Sequence, residues 1–177
     1  MSRLKPVDPS TAAGKAKELL DAVGQKLGVT PNMMRTMANA PAALEAYLTF
    51  SGALAKGSFG PKLREQIALA VGQANQCAYC VSAHTLLGAK AGLSDAEAIA
   101  ARSGEAGDAR SAAVLRLALA INSKQGRPTD ADLAAARAAG LGDAEIAETV
   151  ANVALNVFTN YFNHVADTQI DFPVVKL

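Results

Sequence analysis

Both cysteines of the chain, Cys77 and Cys80, fall with one of its two histidines, His84, in the stretch EQIALAVGQANQCAYCVSAH from Glu65 to His84. On a helix, spacings of three and four residues put all three side chains on one face. Two thiols one turn apart can close into a disulfide and reopen. A neighbouring imidazole and carboxylate can supply and remove the protons this moves. The spacing therefore implies thiol redox chemistry.

Glu65 lies twelve residues before Cys77. On one unbroken helix that is about 18 Å along the axis, beyond contact. A break is therefore required, and the sequence offers Gly72, a poor helix former, and Asn75, a good N-cap. A turn there gives two antiparallel helices and returns Glu65 to the side of His84. It also starts a new helix at the thiols, whose dipole favours thiolate over thiol. Proximity to that N-terminus favours Cys77 as nucleophile, whereas a base one turn away favours Cys80. The second argument is more direct, so Cys80 is assigned the attack on peroxide, leaving a sulfenic acid that Cys77 condenses with. Tyr79, between the cysteines, either lines a pocket or packs.

The elements that must position these groups read as helices throughout. The first runs from about Pro9 or Ser10 to Gly28, and Thr30 with Pro31 opens a short one with Met33, Met34 and Met37 inward. Others open at Pro41 (closing at Gly57), at Pro61, and at about Asn75 (running to Ala91). Ser94 and Glu97 form a capping box for the next. Three more run from Asp108 to Gly126, from Thr129 to Gly140, and from Asp143 through Phe162. The tail DFPVVKL is extended, owing to Pro173. No alternating run argues for strand, so the fold class is all-α: a helical bundle of antiparallel pairs without significant sheet. The segments AGLSDAEAIA and AGLGDAEIAE echo one another as helix–helix corners.

Of the 177 residues, 50% are hydrophobic and 19% charged, a folded composition expected to form a single domain over residues 1–177, with its motif core at about 61–92. Net charge is +1 without a basic block, which gives no footprint for nucleic acid. No apolar run reaches the roughly 20 residues that span a bilayer, and MSRLKPVDPS lacks a signal-peptide core. The expectation is a cytoplasmic protein, where a thiol pair is catalytic, sensing or metal-binding rather than structural. Zinc is the rival for a Cys-x-x-Cys pair, with His84 and Glu65 as further ligands. The absence of a second Cys or His pair weighs against it. His164 reads as a surface or C-capping histidine. Asn160 and Asn163 could hydrogen-bond across a subunit contact, since the last helix is apolar on more than one face and suits an oligomer. Glu45, Asp95 and Asp143 read as solvated or capping charges.

Glu65, the CAYC tetrapeptide and His84 resemble the motif of the alkylhydroperoxidase D branch of the carboxymuconolactone decarboxylase family, particularly its peroxidase-related members. The likeness extends through PNMMRTMANAP at Pro31 and FTNYFNHVADTQIDFP at Phe158. It implies an all-α fold assembling as trimers or hexamers, acting on hydroperoxides with an external thiol or dithiol reductant and no organic cofactor or metal. It also implies Cys80 as the peroxide-attacking residue, Cys77 as proton donor and resolving thiol, and Glu65 with His84 as proton relay. Alkylhydroperoxidase D has a histidine where this chain has Tyr79, so that part of the relay is missing. Two other functions remain open: lactone decarboxylation on the same fold, and a non-enzymatic helical oligomer that senses redox state or holds zinc.

Overall fold

In the computed structural model, which describes residues 2–177, nine α-helices and no strand are found among the described residues. They are α1 (Gly14–Leu27), α2 (Asn32–Met37), α3 (Pro41–Leu54), α4 (Pro61–Ala74), α5 (Ala78–Lys90), α6 (Asp95–Arg102), α7 (Ala109–Ser123), α8 (Asp130–Ala138) and α9 (Asp143–Ala166). The all-α expectation holds.

Helix α4 is the hub. Its residues Gln66 to Gly72 are all buried, and α5, α6, α7 and α9 pack around it. One hydrophobic cluster joins Ile67, Leu69 and Val71 of α4 to Val114, Leu115 and Ala118 of α7 and to Val153 of α9. A second joins Leu20 and Val23 of α1, Met33, Met34 and Met37 of α2 and Leu44 of α3 to Cys77, Tyr79, Cys80 and Ala83. The methionines are thus core, as expected, and the thiols sit where the first three helices close over α5. Unbranched methionine side chains suit such an irregular seam.

Caps explain most boundaries. Ser94 and Glu97 form the expected capping box, Thr129 and Asp132 form another, and the Asp108 side chain accepts from the Ser111 N–H. The two echoed corners are one device. Gly92 and Gly140 adopt φ of 89° and 86°, and the N–H groups of Leu93 and Leu141 return to the carbonyls of Gly88 and Ala136. Each leucine then plugs the first cluster. Only glycine takes that left-handed backbone cheaply, and the polar start of the next helix follows at once.

Several boundaries differ from the sequence reading: α3 stops at Leu54 rather than Gly57, and α7 at Ser123 rather than Gly126. α1 begins at Gly14, because Asp8 accepts from Ser10 and holds the preceding residues in a separate turn. Pro31, rather than Thr30, occupies the N-cap position of α2. Gly72 does not break a helix: it lies inside α4, facing Cys80 and Val81 of α5, where a side-chain methyl would make only ordinary contact. The reversal comes later. Asn75 is the C-cap of α4 rather than the N-cap of α5, and Gln76 takes the left-handed conformation, φ 55°. The tail forms neither helix nor strand, as expected.

Candidate active site

The reversal at Gln76 delivers the required fold-back. α4 and α5 run antiparallel, and His84 Nδ1 lies 2.7 Å from Glu65 Oε2. Both side chains keep limited solvent access, 24% for His84 and 21% for Glu65. The carboxylate accepts from Nδ1–H, which fixes the ring and leaves Nε2 for proton transfer. The carboxylate also acts on Tyr47: burial first, and then Glu65, push that phenol up to about 12.

Cys77 and Cys80 are joined as a disulfide, with Cα atoms 5.2 Å apart. Cys77 is itself the N-cap of α5, its sulfur accepting from the Cys80 N–H at 3.3 Å. That replaces the Asn75 cap expected from sequence and puts sulfur at the positive end of the helix dipole. Both cysteines are nearly inaccessible, 1% and 2% exposed. Their surroundings differ, however. A cavity of about 320 Å³ is lined by Cys80 and His84 but not by Cys77. Val23, Leu27, Met34, Leu48 and Phe172 make it largely apolar, a setting typical of small-molecule sites.

Tyr79 also lines this cavity. Its hydroxyl accepts from the Met33 N–H at 3.1 Å and its ring meets Phe172 edge-on, so it ties α2 and the tail to the thiol helix. Burial, opposed by the Met33 N–H and reinforced by Asp171, keeps the phenol neutral well above its usual range. Tyr79 therefore both packs and faces the pocket. It offers no titrating group of the kind a histidine would bring.

Three polar residues of α9 make contacts that sequence reasoning missed. His164 is exposed, as expected, but its Nε2 meets the Asn75 carbonyl at 2.8 Å, closing the end of α4 rather than of its own helix. Asn160 and Asn163 bond within the chain. Asn160 Oδ1 accepts from Asn75 at 2.9 Å, and Asn163 Nδ2 donates to Met33 Sδ at 3.3 Å and to Cys80 Sγ at 3.4 Å. The signal was the buried polar row Thr149, Asn152, Asn156, Asn160 and Asn163 on an otherwise apolar helix. Buried amides at helical spacing need partners, so such a row marks a functional or tightly specified face. Among the described residues no three His, Cys, Asp or Glu side chains converge to hold a metal ion. Among the described residues no helix is long and apolar enough to cross a membrane.

Residues 41–123 match the model of the carboxymuconolactone decarboxylase family, a span that takes in α4, α5 and the whole thiol motif. No curated protein sequence matches the chain. Among solved structures, the fold resembles an alkylhydroperoxidase D core, an uncharacterized peroxidase-related protein from Ralstonia eutropha JMP134. The TM-score is 0.85 at 24% identity, covering 96% of this chain and 92% of that one. A peroxidase-related protein from Silicibacter sp. TM1040 gives 0.79 at 20%, covering 94% and 92%. The debrominase Bmp8 in complex with 2,3,4-tribromopyrrole gives 0.81 at 20%, covering 97% and 92%. At these identities the structures establish the fold. The family model spans 83 of the 177 residues, so the likeness to that family rests on α3 to α7, the helices around the thiols.

Proposed function

We propose that this protein is a thiol-dependent hydroperoxide reductase. The observation that carries the reading is that Cys80, and not Cys77, shares the cavity with His84, whose ring is held by Glu65. After a dithiol opens the disulfide, the Cys80 thiolate attacks the terminal oxygen of R–O–O–H. The S–O bond forms, the O–O bond breaks, and the departing R–O⁻ takes a proton through the His84 and Glu65 relay. The products are R–OH and Cys80 sulfenic acid. The Cys77 sulfur then attacks Cys80, water leaves, and the disulfide returns. An external thiol or dithiol supplies the two electrons for the next cycle.

The apolar lining favours an organic hydroperoxide over hydrogen peroxide. Helix α9 exposes Val150, Phe158, Tyr161 and Val165, and α3 exposes Phe50, apolar surface that suits the trimer or hexamer expected of the family. Residues 1–177 act here as one domain.

The test is dithiol-driven turnover of an organic hydroperoxide by the native protein, Cys80→Ser and Cys77→Ser. Turnover is lost in both variants, and a sulfenic acid is trapped in Cys77→Ser alone. Undiminished lactone turnover in the double serine variant would instead support decarboxylation.

A further inference from the structure

Asn163 sits in the cavity wall, 5% exposed, on the α9 face that meets α5. Its Nδ2 reaches two sulfur atoms, Met33 Sδ and Cys80 Sγ. A thioether and a disulfide sulfur only accept, so the amide is oriented with its nitrogen on the sulfurs. Its other end is then fixed as well. Oδ1 is buried and has no hydrogen-bond partner among the described residues. Native folds rarely leave such a carbonyl unpaired, because its lost hydration is not repaid.

We propose that Asn163 is a further catalytic residue: its amide N–H holds the Cys80 sulfur as thiolate, and its free carbonyl oxygen receives the O–H of a hydroperoxide bound in the cavity. The second half rests on the reductase reading above; the first does not. The two ends of one amide are adjacent, so an O–H bonded to Oδ1 brings its own oxygen beside the sulfur that Nδ2 touches. That oxygen is the terminal one, the atom the thiolate attacks. When S–O forms and O–O breaks, its proton stays on the oxygen now bonded to sulfur and remains on Oδ1. The R–O⁻ fragment takes its proton from His84. Holding both reactants on one planar group supplies proximity and orientation without further ordering. The site thereby selects R–O–O–H over dialkyl peroxides, which have no O–H to give.

Two readouts test the two halves. The first is iodoacetamide alkylation of reduced Cys80 across pH, in a Cys77→Ser background, with Asn163→Leu and Asn163→Ala compared with Asn163. Hydrogen bonds to a charged group are strong enough that losing this one slows alkylation about tenfold near neutral pH and moves the profile about one pH unit higher. The alanine variant reports the same direction if the leucine variant does not fold. Unchanged profiles in the folded variants overturn the hold on sulfur. The second readout is single-turnover oxidation of the same proteins by cumene hydroperoxide. Loss of the orienting carbonyl slows it by about a further tenfold beyond the alkylation effect, since a group aligning the reactants is removed. An equal fall in both rates overturns the role of Oδ1. If the reduced Cys77→Ser protein with Asn163 intact does not react with the hydroperoxide, the reductase reading fails and takes the Oδ1 role with it. The alkylation profile still decides whether Asn163 holds the thiolate.

Discussion

Replacing Glu65 with glutamine isolates the charge of the relay from its shape. The carboxamide oxygen introduced by E65Q can still accept from His84 Nδ1 across the 2.7 Å contact, so the ring keeps its orientation. What disappears is the negative charge that stabilises imidazolium as protons pass. A hydrogen bond to an ionised partner contributes about 1.5–3 kcal/mol and a neutral one about 0.5–1.5, a difference of roughly 1–1.5 kcal/mol. Both side chains are about a quarter or less exposed, so solvent screening trims this only modestly. Since about 1.4 kcal/mol is a factor of ten in rate, E65Q is expected to slow hydroperoxide reduction about tenfold. Glu65→Ala, which also frees the ring, is expected to slow it about a hundredfold, the lower range for a lost acid–base group. The assay is stopped-flow oxidation of the reduced protein by cumene hydroperoxide, with alkylation of Cys80 as a control for thiol integrity. A rate in E65Q within twofold of native would refute the relay.

Three further outcomes follow from the same structure. The disulfide closes a four-residue loop, for which the chain-entropy relation gives about 2 kcal/mol, so reduction should lower Tm by about 4–8 °C for a chain of this size. A rise in Tm by calorimetry with added dithiol contradicts this. Gly72→Ala adds a methyl in ordinary contact with Cys80 Cβ and Val81 Cγ2, both 3.5 Å away, and should stabilise α4 by about 0.5–1 kcal/mol. A lower denaturant midpoint contradicts it. Hydrogen bonds and ion pairing hold the Glu97 carboxyl, through Lys62 and then Ser94, and the Asp132 carboxyl, through Lys124 and then Thr129, down to about 2. Glu148 is pushed upward by burial, but Ser58 and Phe59 hold it below its usual value. Depressed carboxyls contribute stability above their unfolded pKa and lose it as pH falls through the folded one. Thermal stability should therefore decline from about pH 4.5 toward pH 2, and Glu97→Gln should flatten that decline. Parallel acid profiles for the two proteins contradict this.

The fold was largely legible because its punctuation is local. Gly28, Gly92, Gly126 and Gly140 all adopt the left-handed backbone, and Ser94, Asp108 and Thr129 all cap as their types require. The juxtaposition of Glu65 with His84 was legible because only a fold-back brings a carboxylate nineteen residues earlier to that ring. The device that produces it was not. Gln76 carries no turn signature, and its left-handed backbone is imposed by the Cys77 N–H reaching the Gly72 carbonyl and by the cap at Cys77 sulfur. Nor could sequence show that Asn163 faces Cys80, 83 residues away along the chain. That contact depends on how α9 crosses α5, and helix periodicity gives a face but not its partner. The same holds for Phe172, where a tail without secondary structure becomes a wall of the cavity.

The central claim is that the cavity-facing sulfur is the one that reduces peroxide. Mass spectrometry of reduced Cys77→Ser after one equivalent of cumene hydroperoxide, with dimedone present, tests it most directly. The account predicts a single dimedone adduct on Cys80, formed at a rate that falls in His84→Ala. An unmodified Cys80 beside a native-like fold, or an adduct on Cys77 in the reciprocal Cys80→Ser protein, would contradict it.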